Sequence, residues 1–206
     1  MTKPIQLYYS YFQDRSDRVR WTLEEIKQFK TLEYVDCHLD REKNEHKKEA
    51  YLKLNPQGRI PTIVDGETIL FESQAIVSYL SDKYALGKLA PNFDHPDRAL
   101  YYQWMAWSVG SLECVIARMF THKNTPEESA ATDAFVQKEC LVLQAPLLKT
   151  LAHQEYLLPS GFSSADIMVG SILPGAQEFI VDPHPTISAY LERLKGRDGC
   201  IKAKVF

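Results

Sequence analysis

The chain of 206 residues is 45% hydrophobic, sufficient for one large core or two modest ones. Its 24 basic and 27 acidic side chains leave a net charge of −3 without an evident basic surface, which argues against a nucleic-acid partner. No secretion signal or membrane-length apolar run is evident, so we expect a cytoplasmic protein. The cysteines lack disulfide-framework or metal-ligand spacing, so we expect reduced thiols and no metal site. They are Cys37, Cys114, Cys140 and Cys200.

The N-terminal part alternates short strands with helices. Residues 5–9 are apolar and aromatic, which predicts a buried first strand. Ser16 is placed to cap an amphipathic helix that ends near Phe29, with Glu24 and Glu25 opposite the apolar face. Residues 32–37 predict a second strand, and the order strand, helix, strand implies a right-handed parallel crossover.

The stretch 55–82, NPQGRIPTIVDGETILFESQAIVSYLSD, carries the sharpest local signals. Its Asn-Pro step and Gly58 predict a turn, because proline lacks an amide donor and glycine tolerates positive φ. The Asp-Gly pair at 65–66 separates two short apolar runs and predicts a β-hairpin, whose return strand is 68–71. A helix is then expected to begin near Ser73.

Two places in this stretch suggest ligand contacts. Pro61 cannot donate to a sheet, so it should open a strand or lie at an edge, and a cis bond before it would turn the Ile60 backbone toward a ligand. Glu72 and Ser73 lie at the strand-to-helix junction, where Ser73 can cap and the first helical amides favour a carboxylate. The structural alternative is that these residues serve only the fold.

Residues 1–83 therefore predict the order βαβαββα, and residues 84–97 gather glycine and proline as linkers do. The remaining range, 98–206, is predicted to be helical. Its first helix carries an aromatic and aliphatic stripe, a pattern that is more often core than ligand site. A second helix should begin at Pro126 and run toward Leu151 unless Pro146 kinks or ends it.

A capping element follows in the helical part. Ser163 and Asp166 form an acidic variant of the capping box, and Phe162 with Ile167 forms a hydrophobic staple. Removal of such a cap typically costs about 1 kcal/mol, so we assign these residues to folding.

These motifs, in their order, resemble the soluble glutathione S-transferase family. NPxGxIPxI, the hairpin, ES and an AIxxYL helix resemble its glutathione-binding half, and the capping box and HPTISAYLERLKGR resemble its helical half. The resemblance spans nearly the whole chain and suggests a bacterial-type member of unassigned class. It implies a thioredoxin-like α/β N-terminal domain (1–83), a linker (84–97) and an all-α C-terminal domain (98–206) that lines the electrophile site.

The resemblance also implies glutathione as co-substrate and assigns its contacts. Ile60, next to Arg59, would pair through its backbone with the cysteinyl part across a cis-Pro61. Glu72 and Ser73 would hold the γ-glutamyl end. A basic residue of the charged segment 41–53 would meet the glycyl carboxylate, although the plainer interpretation of that segment is a solvated surface. The candidates are His46, Lys47 and Lys48.

The resemblance leaves the catalytic hydroxyl open. A donor near the first helix would favour the thiolate, because a free thiol has a pKa of about 8.5 and is mostly protonated at neutral pH. Counting back from Arg20, Tyr9 falls at the position of tyrosine-type members. Asp14 falls at the serine-type position, where a carboxylate would oppose a thiolate. Ser16 lies in a DRSDR run similar to the SRSxR of some bacterial and fungal members, and Ser10 ends the strand.

Further alternatives are Tyr11, Arg15 or backbone amides alone. Tyr8 and Tyr9 could also be strand aromatics without a catalytic role. The electrophile pocket implied by family geometry is lined by Trp104, Trp107, Ser108 and Ser111.

The leading expectation is an enzyme that conjugates the glutathione thiolate to small hydrophobic electrophiles, as detoxifying transferases do. A homodimer is expected from the resemblance. The alternatives are a non-catalytic scaffold of the same fold, which Asp14 motivates, and a glutathione-dependent reductase, peroxidase or isomerase that uses the same site.

Overall fold

The computed structural model describes residues 3–10, 14–119 and 125–206, which form two compact units. The first unit comprises Met1–Ala90 and Gly196–Phe206, and the second comprises Pro91–Lys195. The C-terminal residues 196–206, which the sequence placed in the helical domain, therefore pack with the first unit. No helix in the described ranges combines the length and apolar character that a membrane span requires.

The first unit is a thioredoxin-like α/β fold, and its βαβαββα order confirms the prediction. Its sheet has the strand order β2-β1-β3-β4, in which β1 and β2 are parallel and β3 is antiparallel to β1 and β4. The elements are β1 (Ile5–Tyr9), α1 (Ser16–Ile26), β2 (Tyr34–His38), a 3₁₀ turn (Glu45–Lys47), α2 (Glu49–Leu52), β3 (Thr62–Asp65), β4 (Thr68–Phe71) and α3 (Ser73–Ala85).

The core of this unit forms where α1 and α3 contact each other and the sheet. The apolar positions with helical or strand spacing are fully buried, and each such side chain stabilises the fold by roughly 1.5–3 kcal/mol. They include Leu7, Val19, Leu23, Ile26, Ile63, Ile76 and Leu80. Helix α1 ends at Ile26 rather than near Phe29, and β2 begins at Tyr34 rather than at residue 32.

Helix α1 differs from the predicted amphipathic helix because all of its residues are buried, including its acidic ones. Buried charges are tolerated when they are paired and hydrogen-bonded. Glu24 accepts hydrogen bonds from the Tyr34 hydroxyl (2.8 Å) and from Lys27 Nζ (3.0 Å). Arg20 Nη1 donates to Asp17 Oδ1 at 2.8 Å. Charge pairing therefore replaces the solvated face that the sequence predicted.

The second unit is all-helical, as predicted. Its long α6 runs through Pro146, so that proline does not end the helix. The elements are α4 (Arg98–Trp107), a π-helical segment (Ser108–Glu113), α5 (Cys114–Met119), α6 (Pro126–Leu151), α7 (Ser164–Gly170), a 3₁₀ turn (Leu173–Ala176), a second π-helical segment (Gln177–Val181) and α8 (Pro185–Lys195). The aromatic stripe of α4 is core, because Tyr101, Trp104 and Met105 are buried.

The predicted capping box of α7 is confirmed. Ser163 Oγ accepts from the Ala165 amide (3.2 Å), and Asp166 Oδ2 accepts from the Ser163 amide (2.8 Å). Asp166 Oδ1 accepts from the Tyr190 hydroxyl of α8 at 3.0 Å and from the Leu157 amide at 2.9 Å. One buried carboxylate thus joins the cap of α7 to α8 and to the preceding loop.

The C-terminal helix α9 (Asp198–Ala203) completes the first unit by packing on α1. The buried Glu25 carboxylate accepts from Trp21 Nε1 at 3.0 Å and from Arg197 Nε and Nη2 at 2.8 Å each. A Cβ on Gly199 would lie 2.7 Å from Glu25 Cδ, so a larger residue there would displace the Glu25 side chain from its hydrogen bonds. This buried ion pair explains why the last residues belong to the first unit.

Candidate functional site

The strand registers bring the predicted ligand contacts to one edge of the sheet in the first unit. Thr62 pairs with Tyr8 on one side and with Phe71 on the other. The end of β1 with the residue after it, the residues before β3 and those after β4 therefore share this edge. These are Tyr9 with Ser10, Ile60 with Pro61, and Glu72 with Ser73.

The peptide bond between Ile60 and Pro61 is cis, the geometry that the sequence hypothesis required. Ile60 is half-buried and precedes β3, and its amide and carbonyl form no hydrogen bond within the part of the chain that the structure describes. Backbone amides and carbonyls need partners, so this segment can accept an extended peptide ligand by main-chain pairing.

A buried polar network, which the sequence analysis missed, supports the loop before Ile60. The Arg59 carbonyl accepts hydrogen bonds from the Tyr51 hydroxyl and from Asn55 Nδ2 (2.8 Å). Thr62 Oγ1 bonds to the Tyr51 hydroxyl (2.8 Å) and accepts from Asn55 Nδ2 (3.2 Å). Asn55 Oδ1 accepts from the Gln57 amide at 3.0 Å. The sequence shows that the Asn-Pro step forms a turn, but it does not show which groups bond to the buried side-chain amide of Asn55.

At the junction of β4 and α3, Glu72 has φ +72° and ψ 108°, an unfavourable conformation for a residue with a side chain. The expected capping role of Ser73 is wrong, because Ser73 is the first helical residue and no side chain caps α3. Ile76 donates the first helical bond, to the Glu72 carbonyl at 2.9 Å. Within the described residues, the Ser73 hydroxyl and the amides of Ser73, Gln74 and Ala75 have no hydrogen-bond partner. They form a set of donors suited to a carboxylate.

Of the basic candidates, Lys47 lies nearest to this loop. Its Nζ donates to the Gln57 carbonyl at 3.0 Å and is exposed. Gly58 has φ +58°, and a Cβ there would lie 2.6 Å from the His46 carbonyl and 2.9 Å from Lys47 Nζ. The glycine in NPxGxIP therefore permits the close approach of the 3₁₀ turn to the loop, in addition to forming a bend.

The other two basic candidates are less suited to an anion. Lys48 Nζ lies 3.4 Å from Glu45 Oε1, so its charge is already paired on the surface. Burial lowers the pKa of the His46 imidazole, and the charges of Arg41 and Lys47 lower it further. His46 is therefore mostly neutral at pH 7.

Among the three candidate hydroxyls, Tyr9 is half-buried and lies beside charged and aromatic side chains. Its ring centroid is 4.7 Å from the Arg20 guanidinium carbon and 5.3 Å from the His38 ring centroid. Ser10 and Ser16 are buried, and neither hydroxyl has a hydrogen-bond partner among the described residues. An unsatisfied buried hydroxyl typically costs about 1–3 kcal/mol, so the two serines are unusual as purely structural groups.

The start of α1 corrects one prediction. Ser16 does not cap the helix, because it is the first helical residue and its amide donates to Asp14 Oδ1 at 2.6 Å. The Asp17 amide donates to the Asp14 carbonyl at 3.0 Å. Asp14 therefore bonds to the first amide of the helix, and Arg15 is exposed at the N-cap position. Tyr11 lies outside the described residues.

Tyr8 has the structural surroundings of a strand aromatic. Its hydroxyl donates to Gln6 Oε1 at 3.2 Å, and its ring centroid lies 5.6 Å from that of Tyr51. Burial raises the pKa of its phenol, and the nearby Cys37 adds to the increase. A raised phenol pKa leaves Tyr8 protonated at neutral pH.

The predicted electrophile residues all lie in the second unit, on α4 and the adjoining π-helical segment. The Trp104 and Trp107 rings meet edge to face with centroids 5.2 Å apart. Trp104 is buried, and the buried Ser108 donates to the Met105 carbonyl at 2.7 Å. Trp107 and Ser111 are partly exposed, so they are the more accessible of the four residues.

All four cysteines are free thiols: Cys37 is half-buried, Cys114 is exposed, and Cys140 and Cys200 are buried. Across the ranges 3–10, 14–119 and 125–206, no three His, Cys, Asp or Glu side chains are grouped as a metal ion would require.

Comparison with known proteins gives consistent matches. Residues 4–82 match the family model for the glutathione S-transferase N-terminal domain. Glutathione S-transferase hmp2 of Hypomyces subiculosus is 27% identical over 84% of this chain and 88% of that protein. Glutathione S-transferase theta-1 of Mus musculus is 29% identical over 76% of this chain and 70% of that protein.

Structural comparison extends the likeness to both units. The glutathione transferase URE2P6 from Phanerochaete chrysosporium, crystallised with oxidized glutathione, superimposes with a TM-score of 0.82 at 24% identity. The match covers 99% of this chain and 98% of that chain. At this identity the structural match shows a shared fold, whereas the domain model and the named relatives are matches in sequence. The first unit therefore carries a glutathione S-transferase N-terminal domain, and the chain is similar over most of its length to proteins named glutathione S-transferase.

Proposed function

We propose that the protein binds glutathione at the sheet edge of its first unit and transfers the thiolate to small hydrophobic electrophiles. The observation that carries the proposal is the convergence, beside Pro61, of main-chain and side-chain donors that have no hydrogen-bond partner among the described residues. The relatives named glutathione S-transferase and the structural neighbour crystallised with oxidized glutathione support the same ligand.

Each part of glutathione has a chemically matched partner at this edge. The Ile60 amide and carbonyl would pair with the cysteinyl backbone, as a strand addition does. The Ser73 hydroxyl and the first amides of α3 would hold the γ-glutamyl carboxylate, and the exposed Glu72 carboxylate would attract its ammonium group. Lys47, next to the Gln57 carbonyl and to Arg59, is our choice for the glycyl carboxylate.

Ser16 is our candidate for the thiolate donor. It combines a buried hydroxyl, which lacks a partner in the described structure, with a position at the start of an α-helix. Both features favour an anion, and a hydrogen bond to the charged form of a thiol lowers its pKa. Ser10 is the alternative on the same grounds. The exposed face of Trp107 and the partly exposed Ser111 would contact the electrophile.

The test is calorimetric titration with glutathione, followed by conjugation of 1-chloro-2,4-dinitrobenzene by the wild-type protein and by Ser16→Ala, Ser10→Ala and Tyr9→Phe. We expect Ser16→Ala to lower kcat by about 10²-fold and to move the apparent thiol pKa in the pH–rate profile toward about 8.5. Tyr9→Phe is the matched hydroxyl control and should retain most of the activity. If Tyr9→Phe shows the larger loss, our assignment of the donor is wrong.

A second candidate function is a glutathione-binding protein without transfer chemistry. Asp14 supports it, because its carboxylate bonds to the Ser16 amide at the helix start, where a negative charge opposes a thiolate. The same titration separates the two candidates. Glutathione binding without conjugation, reduction or peroxidase activity would favour the binding protein, and Asp14→Asn should then restore some thiol activation.

We also propose, from the family resemblance, a homodimer. Light scattering of the purified protein at micromolar concentration would test it, and a mass of 23.6 kDa would exclude the dimer.

A further inference from the structure

We propose that Asp65 is a positioning residue for the glutathione site. The proposed ligand contacts lie at one end of β3 and of α3, and Asp65 joins these two elements at their opposite ends. Strand β3 begins after Pro61 and ends at Asp65, and α3 begins at Ser73. The inference rests on the proposed function, since it concerns the distance between the cysteinyl and γ-glutamyl contacts.

One oxygen of Asp65 collects three donors from the C-terminal half of α3. Asp65 Oδ2 accepts from the Tyr79 hydroxyl at 2.8 Å, from Lys83 Nζ at 2.7 Å and from the Tyr84 hydroxyl at 2.7 Å. Lys83 Nζ also donates to the Tyr79 hydroxyl at 2.7 Å. We call these four residues the Asp65 cluster.

The cluster also has the packing of a fixed joint. Asp65 is only 9% exposed. The Lys83 ammonium lies 5.1 Å from the Tyr79 ring centroid and 5.0 Å from the Tyr84 ring centroid. Lys30 Nζ also lies 5.0 Å from the Tyr84 ring centroid. Each contact restricts the rotation of a side chain that already donates to Asp65 or lies beside a donor.

The charge of the cluster is stable at neutral pH. Burial opposes ionisation of Asp65, but the hydrogen bonds from Lys83, Tyr84 and Tyr79 outweigh it, and the net effect lowers the pKa of Asp65. The hydrogen bond to Asp65 raises the pKa of Lys83. The interaction is therefore a charge-assisted one, which is roughly twice as strong as a neutral hydrogen bond.

The geometry gives this joint leverage over the ligand contacts. Helix α3 rises about 1.5 Å per residue, so Lys83 lies roughly 15 Å along the axis from Ser73. A tilt of about 4° around the cluster would therefore move the start of α3 by about 1 Å, and a misplacement of that size can cost about 10²-fold in rate. At the ligand end the chain passes directly from β4 into α3, whereas Asp65 and the hairpin turn lie at the far end, so the cluster supplies a second point of attachment between the hairpin and α3.

The experiment compares two thiols in variants of the cluster. Asp65→Asn removes the charge but keeps a hairpin turn, because Asn-Gly is as favourable there as Asp-Gly. Tyr79→Phe and Tyr84→Phe each remove one donor. The matched control is Glu192→Gln, which breaks the exposed ion pair between Glu192 and Lys195 (2.7 Å) in the second unit. For each protein, kcat/KM is measured with glutathione and with cysteinylglycine, which lacks the γ-glutamyl group.

If Asp65 positions the site, its replacement should affect only a thiol that must reach both the cysteinyl and the γ-glutamyl contacts. We expect the ratio of kcat/KM for glutathione to that for cysteinylglycine to fall about tenfold in Asp65→Asn and less in each phenylalanine variant. The control should keep the wild-type ratio. An unchanged ratio, including an equal loss for both thiols, would overturn the inference and leave the proposed function intact.

Two further measurements keep the outcome decisive. If Asp65→Asn lacks the native circular dichroism spectrum, the two phenylalanine variants are judged by the same ratio. Glutathione binding by the wild-type protein is measured first by calorimetry. Absence of that binding overturns the proposed function and the positioning role together, whereas intact binding with unchanged ratios overturns only the positioning role.

Discussion

Replacement of Asn55 by alanine tests whether the buried network holds the loop before Ile60, which is our proposed contact for glutathione. The substitution removes three hydrogen bonds, to the Arg59 carbonyl, to Thr62 Oγ1 and from the Gln57 amide. Each is worth about 1 kcal/mol. The Tyr51 hydroxyl still bonds to the Arg59 carbonyl and to Thr62, and the exposed Gln57 can bond to water. We therefore expect a loss of about 2–3 kcal/mol, without an additional penalty for stranded groups.

Thermal unfolding and hydrogen exchange measure this loss. A loss of that size lowers Tm by about 4–12 °C in a chain of this length. Because the chain has two units, unfolding need not be two-state, so exchange of the β3 and β4 amides reports on the first unit separately. The KM for glutathione should also rise, since the Asn55 network supports the carbonyl that precedes Ile60.

Asn55→Asp provides the matched comparison. It keeps the acceptor for the Gln57 amide but places a carboxylate oxygen against the Arg59 carbonyl, where Asn55 donates. We expect it to be at least as destabilising as Asn55→Ala. A loss below about 1 kcal/mol for Asn55→Ala, or greater stability of the aspartate variant, would refute the role of the donated bonds.

Two further predictions concern backbone strain and pH. Glu72→Gly should be about 1 kcal/mol more stable to urea than Glu72→Ala, because only glycine adopts φ +72° without strain, and equal stability would contradict it. Burial raises the pKa of Asp166 to about 6, although hydrogen bonds from Leu157, Ser163 and Tyr190 oppose the shift. The folded state then binds this proton more tightly, so the stabilisation is greatest below the unfolded pKa of about 3.9 and is lost as the pH rises through about 6. The unfolding free energy of the wild type relative to Asp166→Asn should fall by up to about 3 kcal/mol from pH 4 to pH 7, and a rising difference would be inconsistent with it.

Local signals predicted much of the fold because they depend on neighbours in sequence. The Asp-Gly pair at 65–66 placed the hairpin, and the return strand Thr68–Phe71 has the predicted bounds. The capping box of Ser163 and Asp166 was visible because its two hydrogen bonds join residues three positions apart. The predicted bounds of β2 were in error because half-exposed edge strands lack a strong apolar pattern.

The errors share a different cause, which is pairing over long sequence separations. The Glu24 and Glu25 side chains predicted a solvated face of α1, but Tyr34 and Arg197 supply the partners that allow their burial. Serine is a common N-cap residue, yet Ser16 does not cap α1. Instead, the carboxylate of Asp14, two residues earlier, accepts the hydrogen bond from the first helical amide. The presence of a serine near a helix start does not show whether it is the N-cap or the first helical residue.

Residue types and their spacing were sufficient to predict the order of elements, the turn before Ile60 and the Glu72-Ser73 junction, and the family resemblance of these motifs supplied the expected ligand. The meeting of these segments at one sheet edge depends on long-range strand pairing, because the register of β3 with both neighbouring strands sets that position. The tertiary contacts also motivate our choice of Lys47 over Lys48, and they leave the Ser10 and Ser16 hydroxyls without partners in the described structure. Such choices depend on distances between residues far apart in the chain, which residue type and spacing do not encode.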